Sequence, residues 1–239
     1  MHRVWVVNEL VQLQRSTLPL FPAKRRVARV GAQMAKVVIR DNLRHRHDIE
    51  VSYLAAIRTA KSEIIIANAY FFPGIRFRRA LIAAAQRGVS VTLLLQQRVE
   101  YVLLHYASRA LYGQLLAAGI VIEEYGQSFL HAKVAAIDRR WATVGSSNID
   151  PYSLLMAREA NVFVRDPDFA EQLRTELVTM IAAGARRVLP EGWAHRSRMH
   201  KGVVWVAYAV VRVAMGVLGY GGNEWFRRAR RRGLGKGPR

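Results

Sequence analysis

The sequence predicts an α/β fold, a sandwich in which a mixed sheet is flanked by helices. Three observations support it. From residue 34 onward, β-rich apolar runs alternate with segments of helical period about a dozen residues long. Helix punctuation falls between them, with stops at Gly88 and Gly119 and a start at Asp166-Pro167. Finally, 51% of the 239 residues are apolar, enough to fill a core between sheet and helices.

In chain order, MAKVVIR (34–40) reads as a strand, and HDIEVSYLAAIRTA (47–60) as a helix with Asp48 as its cap. SEIIIANAYF (62–71) suits a buried strand, because its apolar residues fall on both faces. After the Pro73-Gly74 turn, IRFRRALIAAAQRG (75–88) has helical spacing and ends on Gly88. VSVTLLLQ (89–96) is another buried strand, and 101–118 is expected as one helix closing at Gly119. Strands follow at 119–125, 131–137 and 141–146, then a helical turn near 150–156, a strand at 159–166 and a helix at 167–183. There is no internal repeat.

The expected organisation is a lead-in segment (1–33), an α/β domain with a single motif (34–185), and a C-terminal region of basic linker, apolar segment and basic tail (186–239). The opening residues lack the continuous apolar core and small-residue cleavage site of a secretory signal, so no export signal is expected. The run GVVWVAYAVVRVAMGVLGY (202–220) is long enough to cross a bilayer, but Arg212 near its middle opposes that. An interfacial or re-entrant helix, with Trp205, Tyr208, Tyr220 and Trp225 near the headgroups, fits it better; the alternative is a helix packed on the domain.

Charge is lopsided, with 37 Lys+Arg against 17 Asp+Glu and a net charge of +20. Such a chain is drawn to polyanions, either nucleic acid or an anionic membrane surface. The absence of cysteine excludes disulfides, thiolate nucleophiles and thiolate metal sites, and agrees with a cytosolic setting.

The chemistry is concentrated in SFLHAKVAAIDRRWATVGSSNID (128–150). On a strand, His131 and Lys133 project to one side, with Ala132 and Val134 turned toward the core. A neighbouring cation favours the neutral imidazole, which can attack an electrophile or act as a base. Lys133 can then hold an anion such as a phosphate oxygen. Asp138, where the chain leaves the strand, could orient a histidine ring or fix the turn DRRW. Gly145 lets the backbone approach a ligand, while Ser146, Ser147 and Asn148 add donors and Asp150-Pro151 opens a helical turn. Each element alone is commonplace. Together, six fixed identities coincide by chance on the order of 10⁻⁸ per starting position.

HAKVAAIDRRWATVGSSN resembles the H-x-K-x4-D-x6-G-S-x-N signature of the phospholipase D superfamily. With RDNLRHRHDIEVSYLAAIRTAKSEIIIANAYFFPG, WATVGSSNIDPYSL and EANVFVRD, residues 34–185 resemble the C-terminal half of bacterial cardiolipin synthases, closest to the B type. The resemblance implies a phospholipase-D-like α/β sandwich and a phosphatidyltransferase at the cytoplasmic side of the bacterial inner membrane. It makes His131 the phosphohistidine nucleophile or its acid/base partner, Lys133, Ser146 and Asn148 the phosphate ligands, and Asp138 a supporting catalytic residue. Glu159 would tune a histidine. The substrate is an anionic phospholipid, and no metal or organic cofactor is implied.

These synthases carry two such motifs per chain, and this sequence has one. His45 and His47 lack the motif's companions and read as a helix start; His105 falls in a helix, and His195 and His200 in the basic linker. The second histidine is expected from a homodimer, which juxtaposes identical residues across a two-fold axis, or from a separate N-terminal-half protein. The rival readings are a nuclease of the same superfamily, suited by the charge, and an inactive half serving as a membrane- or partner-binding module.

Overall fold

The computed structural model describes residues 33–40, 45–150 and 158–217. The lead-in segment, the helical turn at 151–156 and the basic tail lie outside them. The described elements run β1 (Met34–Arg40), α1 (Asp48–Thr59), β2 (Glu63–Asn68), α2 (Ile75–Gln86), β3 (Ser90–Gln96), α3 (Val102–Arg109), α4 (Tyr112–Ala117), β4 (Val121–Tyr125), β5 (Lys133–Ile137), β6 (Trp141–Gly145), β7 (Glu159–Arg165), α5 (Pro167–Gly184), β8 (Ala185–Arg187), α6 (Pro190–Ala194) and α7 (Arg198–Val217).

The strands form one mixed sheet in the order β1-β7-β6-β5-β2-β3-β4-β8. β2, β3 and β4 are parallel neighbours, joined by helical crossovers, and every other pair is antiparallel. This is the expected α/β sandwich with a mixed sheet. One face of the sheet carries the larger core, where Tyr53, Leu54 and Ile57 of α1 and Leu81 of α2 meet Ile64, Ile66, Leu93 and Ile122. The other face is smaller. There Leu177 of α5 joins Ile65, Ala67, Leu94, Tyr125 and Leu130. The central strands are apolar on both faces because both faces are covered.

The sequence signals act locally as expected at several ends. Asp166 caps α5, its Oδ1 accepting from the Phe169 N–H at 2.8 Å, with Pro167 opening the first turn. Gly88 and Gly119 take positive φ (89° and 79°) just past α2 and α4, the left-handed stop that glycine adopts without a Cβ penalty. Asp48, by contrast, is the first helical residue of α1 rather than its cap; His47 precedes it, and the Asp48 carboxylate lies 2.8 Å from His45 Nδ1.

Two local expectations are corrected. The single helix at 101–118 is two, because at Ala110–Leu111 the chain switches to i→i−3 bonding, Leu111 N–H donating to Ser108 at 3.1 Å. The break lets α3 pack along α7 while α4 turns onto β4 and α6. Second, residues 185–187 form an edge strand where the sequence predicts the end of the domain and the start of a basic linker. Arg187 pairs with buried Glu123 at 2.8 Å, as Arg109 does with buried Glu124 at 2.6 Å. Residues 202–217 of the apolar run lie in the amphipathic helix α7. Val204, Ala207 and Val211 are buried against the domain, while Met199, Val206 and Val213 stay 81%, 64% and 65% exposed. Among the described residues no helix is long and apolar enough to cross a membrane.

Candidate functional site

The ends of five strands converge at one edge of the sheet. The register sets Asn68, the last residue of β2, opposite Lys133, the first of β5. Gly145, ending β6, stands opposite Asn161 of β7, and Arg40, ending β1, opposite Glu159. This edge holds the carboxyl end of the parallel strand β2, where α/β sheets commonly place ligands.

His131 is exposed and just precedes β5, tied to the sheet by Ala69 N–H donating to the Ala132 carbonyl at 2.9 Å. Its ring lies between two aromatics, stacked on Phe129 with centroids 6.1 Å apart and edge-on to Tyr70 at 6.5 Å. An accessible imidazole flanked by flat side chains is held in place without being buried, as an attacking group requires.

Lys133 differs from its expected surroundings. It is only 6% exposed, and its Nζ donates to the His131 carbonyl at 3.1 Å. Burial pushes its ammonium below the usual lysine range, and attraction to Glu159, Asp150 and Glu100 restores part of that loss. Ala132 and Val134 are themselves only half-buried, packed on the smaller cluster under α5. The physical reason is that β5 is an interior strand with both faces covered, so alternation does not separate core from solvent. An ammonium this buried is a poorly hydrated cation, of the kind that can accept an anion in place of water.

The segment after β6 is built by a polar network. Ser146 N–H donates to the Ala160 carbonyl at 3.0 Å, its hydroxyl donates to the Glu159 carboxylate, and Ala160 N–H donates back to Ser146 Oγ at 3.1 Å. Ser147 N–H donates to Asn161 Oδ1 at 3.3 Å, and Asn161 Nδ2 to Thr143 Oγ1 at 3.2 Å. Ile149 N–H donates to Asn68 Oδ1 at 3.1 Å, which ties the segment to β2 and places Asn148 at this edge. Gly145 is required by this packing: a Cβ there would run into the Asn161 amide and the Ala160 carbonyl.

Asp138 is not part of this edge. It sits at the far end of β5, in the left-handed region (φ 51°), and accepts from the N–H groups of Lys61 and Ser62 at 2.8 Å, from Ser62 Oγ at 2.8 Å, and from Glu63 N–H at 3.0 Å. Burial alone would raise its carboxyl; the hydrogen bonds from Glu63, Ser62 and Lys61 outweigh it and hold the group below the usual range. Of its two expected roles, orienting a histidine gives way to fixing the turn, since a five-residue strand of about 17 Å separates it from His131. His45 and His47 flank the start of α1, 2.8 Å from Asp48 and 3.3 Å from Glu50, and His105 lies in α3.

Sequence reasoning missed Asn68, Asn161 and Arg40. Their signal was a polar residue inside or ending an apolar β run, in EIIIAN, EANVFV and VVIR. All three are buried, and Asn68 Nδ2 has no hydrogen-bond partner among the described residues. No cluster of three or more His, Asp or Glu that could hold a metal ion occurs among the described residues.

Residues 53–181, more than half of the chain, match the family described as cardiolipin synthase, PLD-like domain. The chain belongs to this family. Cardiolipin synthase B of Escherichia coli (strain K12) is 42% identical over 193 residues, covering 77% of this chain and 47% of that protein. Cardiolipin synthase A of Erwinia tasmaniensis is 32% identical over 149 residues, 62% of this chain and 30% of that one. The PLD-like chain thus spans about half the length of the curated B-type relatives it matches. Among solved structures, Nuc from Salmonella typhimurium, described as a phospholipase D family member, superposes with a TM-score of 0.55 at 23% identity, covering 66% of this chain and 99% of that one. Phosphatidylserine synthase of Haemophilus influenzae gives 0.58 at 11% identity, covering 81% and 49%. These two likenesses establish the shared fold.

Proposed function

We propose that this PLD-like chain is a phosphatidyltransferase that makes cardiolipin through a phosphohistidine on His131. One observation supports this above others: the exposed His131 offers its backbone carbonyl to the buried Lys133 ammonium at a polar sheet edge, in a chain matching half of cardiolipin synthase B. In the first step a His131 nitrogen attacks the phosphorus of a phosphatidyl donor, and the P–O bond to the headgroup alcohol breaks. Lys133, Ser146 and Asn148 hold the phosphate oxygens. A second histidine protonates the leaving alcohol, then takes the proton from a phosphatidylglycerol hydroxyl. That hydroxyl attacks phosphorus, the P–N bond breaks, and cardiolipin forms with the imidazole regenerated.

The second histidine comes from another copy of this chain or from a separate N-terminal half, and the work takes place at the inner face of the bacterial membrane. The basic charge supports a polyanionic lipid surface, and the exposed apolar stripe of α7 supports contact with it. The test is turnover in mixed micelles of phosphatidylglycerol, with and without phosphatidylethanolamine, read by mass spectrometry for cardiolipin and the released alcohol. The parent is expected to make cardiolipin and His131→Ala to make none. Cardiolipin from both would remove His131 as nucleophile, while its absence from the parent alone but appearance on adding an N-terminal half would identify the partner.

A further inference from the structure

Away from the catalytic edge, α4, α6 and α7 enclose a cleft of about 610 Å³ that also touches α2. None of the site residues lines it. Leu111, Leu116, Val204, Trp193, Trp205 and Tyr208 give it a predominantly apolar wall. Its size is in the range of small-molecule sites. Two cations interrupt that wall, Arg78 from α2 and Lys201 from α7. Lys201 Nζ is anchored on the Ala194 carbonyl at 2.7 Å, which leaves it two further protons to donate. Arg78 adds a permanently charged guanidinium to the same cleft, so an anionic acceptor suits it.

The surroundings show where such an acceptor arrives from. α7, which forms one wall, presents Met199, Val206 and Val213 outward at seven-residue intervals, and Trp205 of the cleft is itself 57% exposed. On α3, the helix against which α7 packs, Val102 and Leu103 are exposed as well. An apolar helix face carrying Trp, beside a cleft with a long apolar wall and two cations, is chemistry matched to an amphiphile with an anionic head.

We infer that the cleft between α4, α6 and α7 is a second lipid site, which takes one acyl chain of an anionic phospholipid and holds its phosphate between Arg78 and Lys201. The inference deepens the lipid reading proposed above. It makes α7 more than a surface anchor: a resident lipid in its flank ties the domain to an anionic leaflet.

The probe is palmitoyl-lysophosphatidylglycerol below its micelle threshold, with palmitoyl-lysophosphatidylcholine as the zwitterionic control. Both are titrated into the full chain, with stoichiometry read by native mass spectrometry and affinity by the emission of Trp193 and Trp205. One anionic lysolipid per chain is expected, with the control roughly tenfold weaker or worse. Arg78→Gln combined with Lys201→Gln should weaken the anionic lipid by a similar factor, and Ala117→Phe, which fills the wall, should remove binding. His131→Ala should bind as the parent does, which separates the cleft from the catalytic edge. If Ala117→Phe fails to fold, the charge variants alone decide. Equal binding of both lysolipids, binding untouched by the charge pair, or capture of an acidic amphipathic peptide without lysolipid would each overturn the inference. Turnover to cardiolipin without cleft binding removes this site and leaves the catalytic reading standing; cleft binding without turnover does the reverse.

Discussion

The hydroxyl of Ser146 donates to the carboxylate of Glu159, thirteen residues further along the chain, across the junction of β6 and β7. The same carboxylate is the first of three that offset the burial of Lys133. Removing its charge therefore disfavours the ammonium further, so that Lys133 loses its proton at lower pH. Glu159→Gln should shift the alkaline limb of turnover to lower pH, and pH-dependent amine labelling of Lys133 should shift with it. Unmoved profiles would mean that Lys133 does not feel Glu159.

Gly145 lies where a methyl group would meet the Asn161 amide and the Ala160 carbonyl. Both are fixed by the ladder and the Asn161–Thr143 bond, so they cannot withdraw cheaply. Gly145→Ala is expected to cost about 1–3 kcal/mol in urea unfolding and to lower turnover by displacing Ser146 and Ser147. Wild-type stability would show that the β6–β7 junction yields.

Asp138 takes four hydrogen bonds from residues 61–63, far from His131. Asn tolerates its left-handed backbone, so Asp138→Asn isolates the charge. At pH 7 the change should cost about 1–3 kcal/mol while turnover per folded molecule is retained. Because the folded carboxyl lies below its ordinary value of 3.8, its stabilisation is present above that pH and is lost as pH falls through the folded value. The gap between parent and variant should close in strong acid. Lost turnover with unchanged stability would return Asp138 to a catalytic role.

His105 in α3 is pushed down to about 4 from its ordinary 6.5, first by burial and then by Arg109. Between those two values the unfolded chain binds a proton that the folded chain does not, so stability falls as pH drops through this window. His105→Phe should flatten that part of the curve, with a smaller decrease in melting temperature from pH 7 to pH 4.5 than the parent shows. An equal decrease would place the acid sensitivity in other groups.

The sequence by itself determined the alternation of strands and helices, the glycine stops, the Asp166 cap and the cluster from His131 to Asn148, because periodicity, backbone permissiveness and side-chain type are local properties. Tertiary structure alone decided the rest. The sequence placed His131, Lys133 and Asp138 in one motif, but a strand that runs straight through the sheet puts the aspartate at the end opposite the other two. It showed Asn68, Asn161 and Arg40 as polar residues on apolar strands; only the pairing of β2 with β5, and of β7 with β6 and β1, brings them to the site. The edge strand β8 at ARR (185–187) was hidden for the same reason. Burial of a charge depends on which distant strand or helix arrives beside it, and no window of neighbouring residues contains that partner.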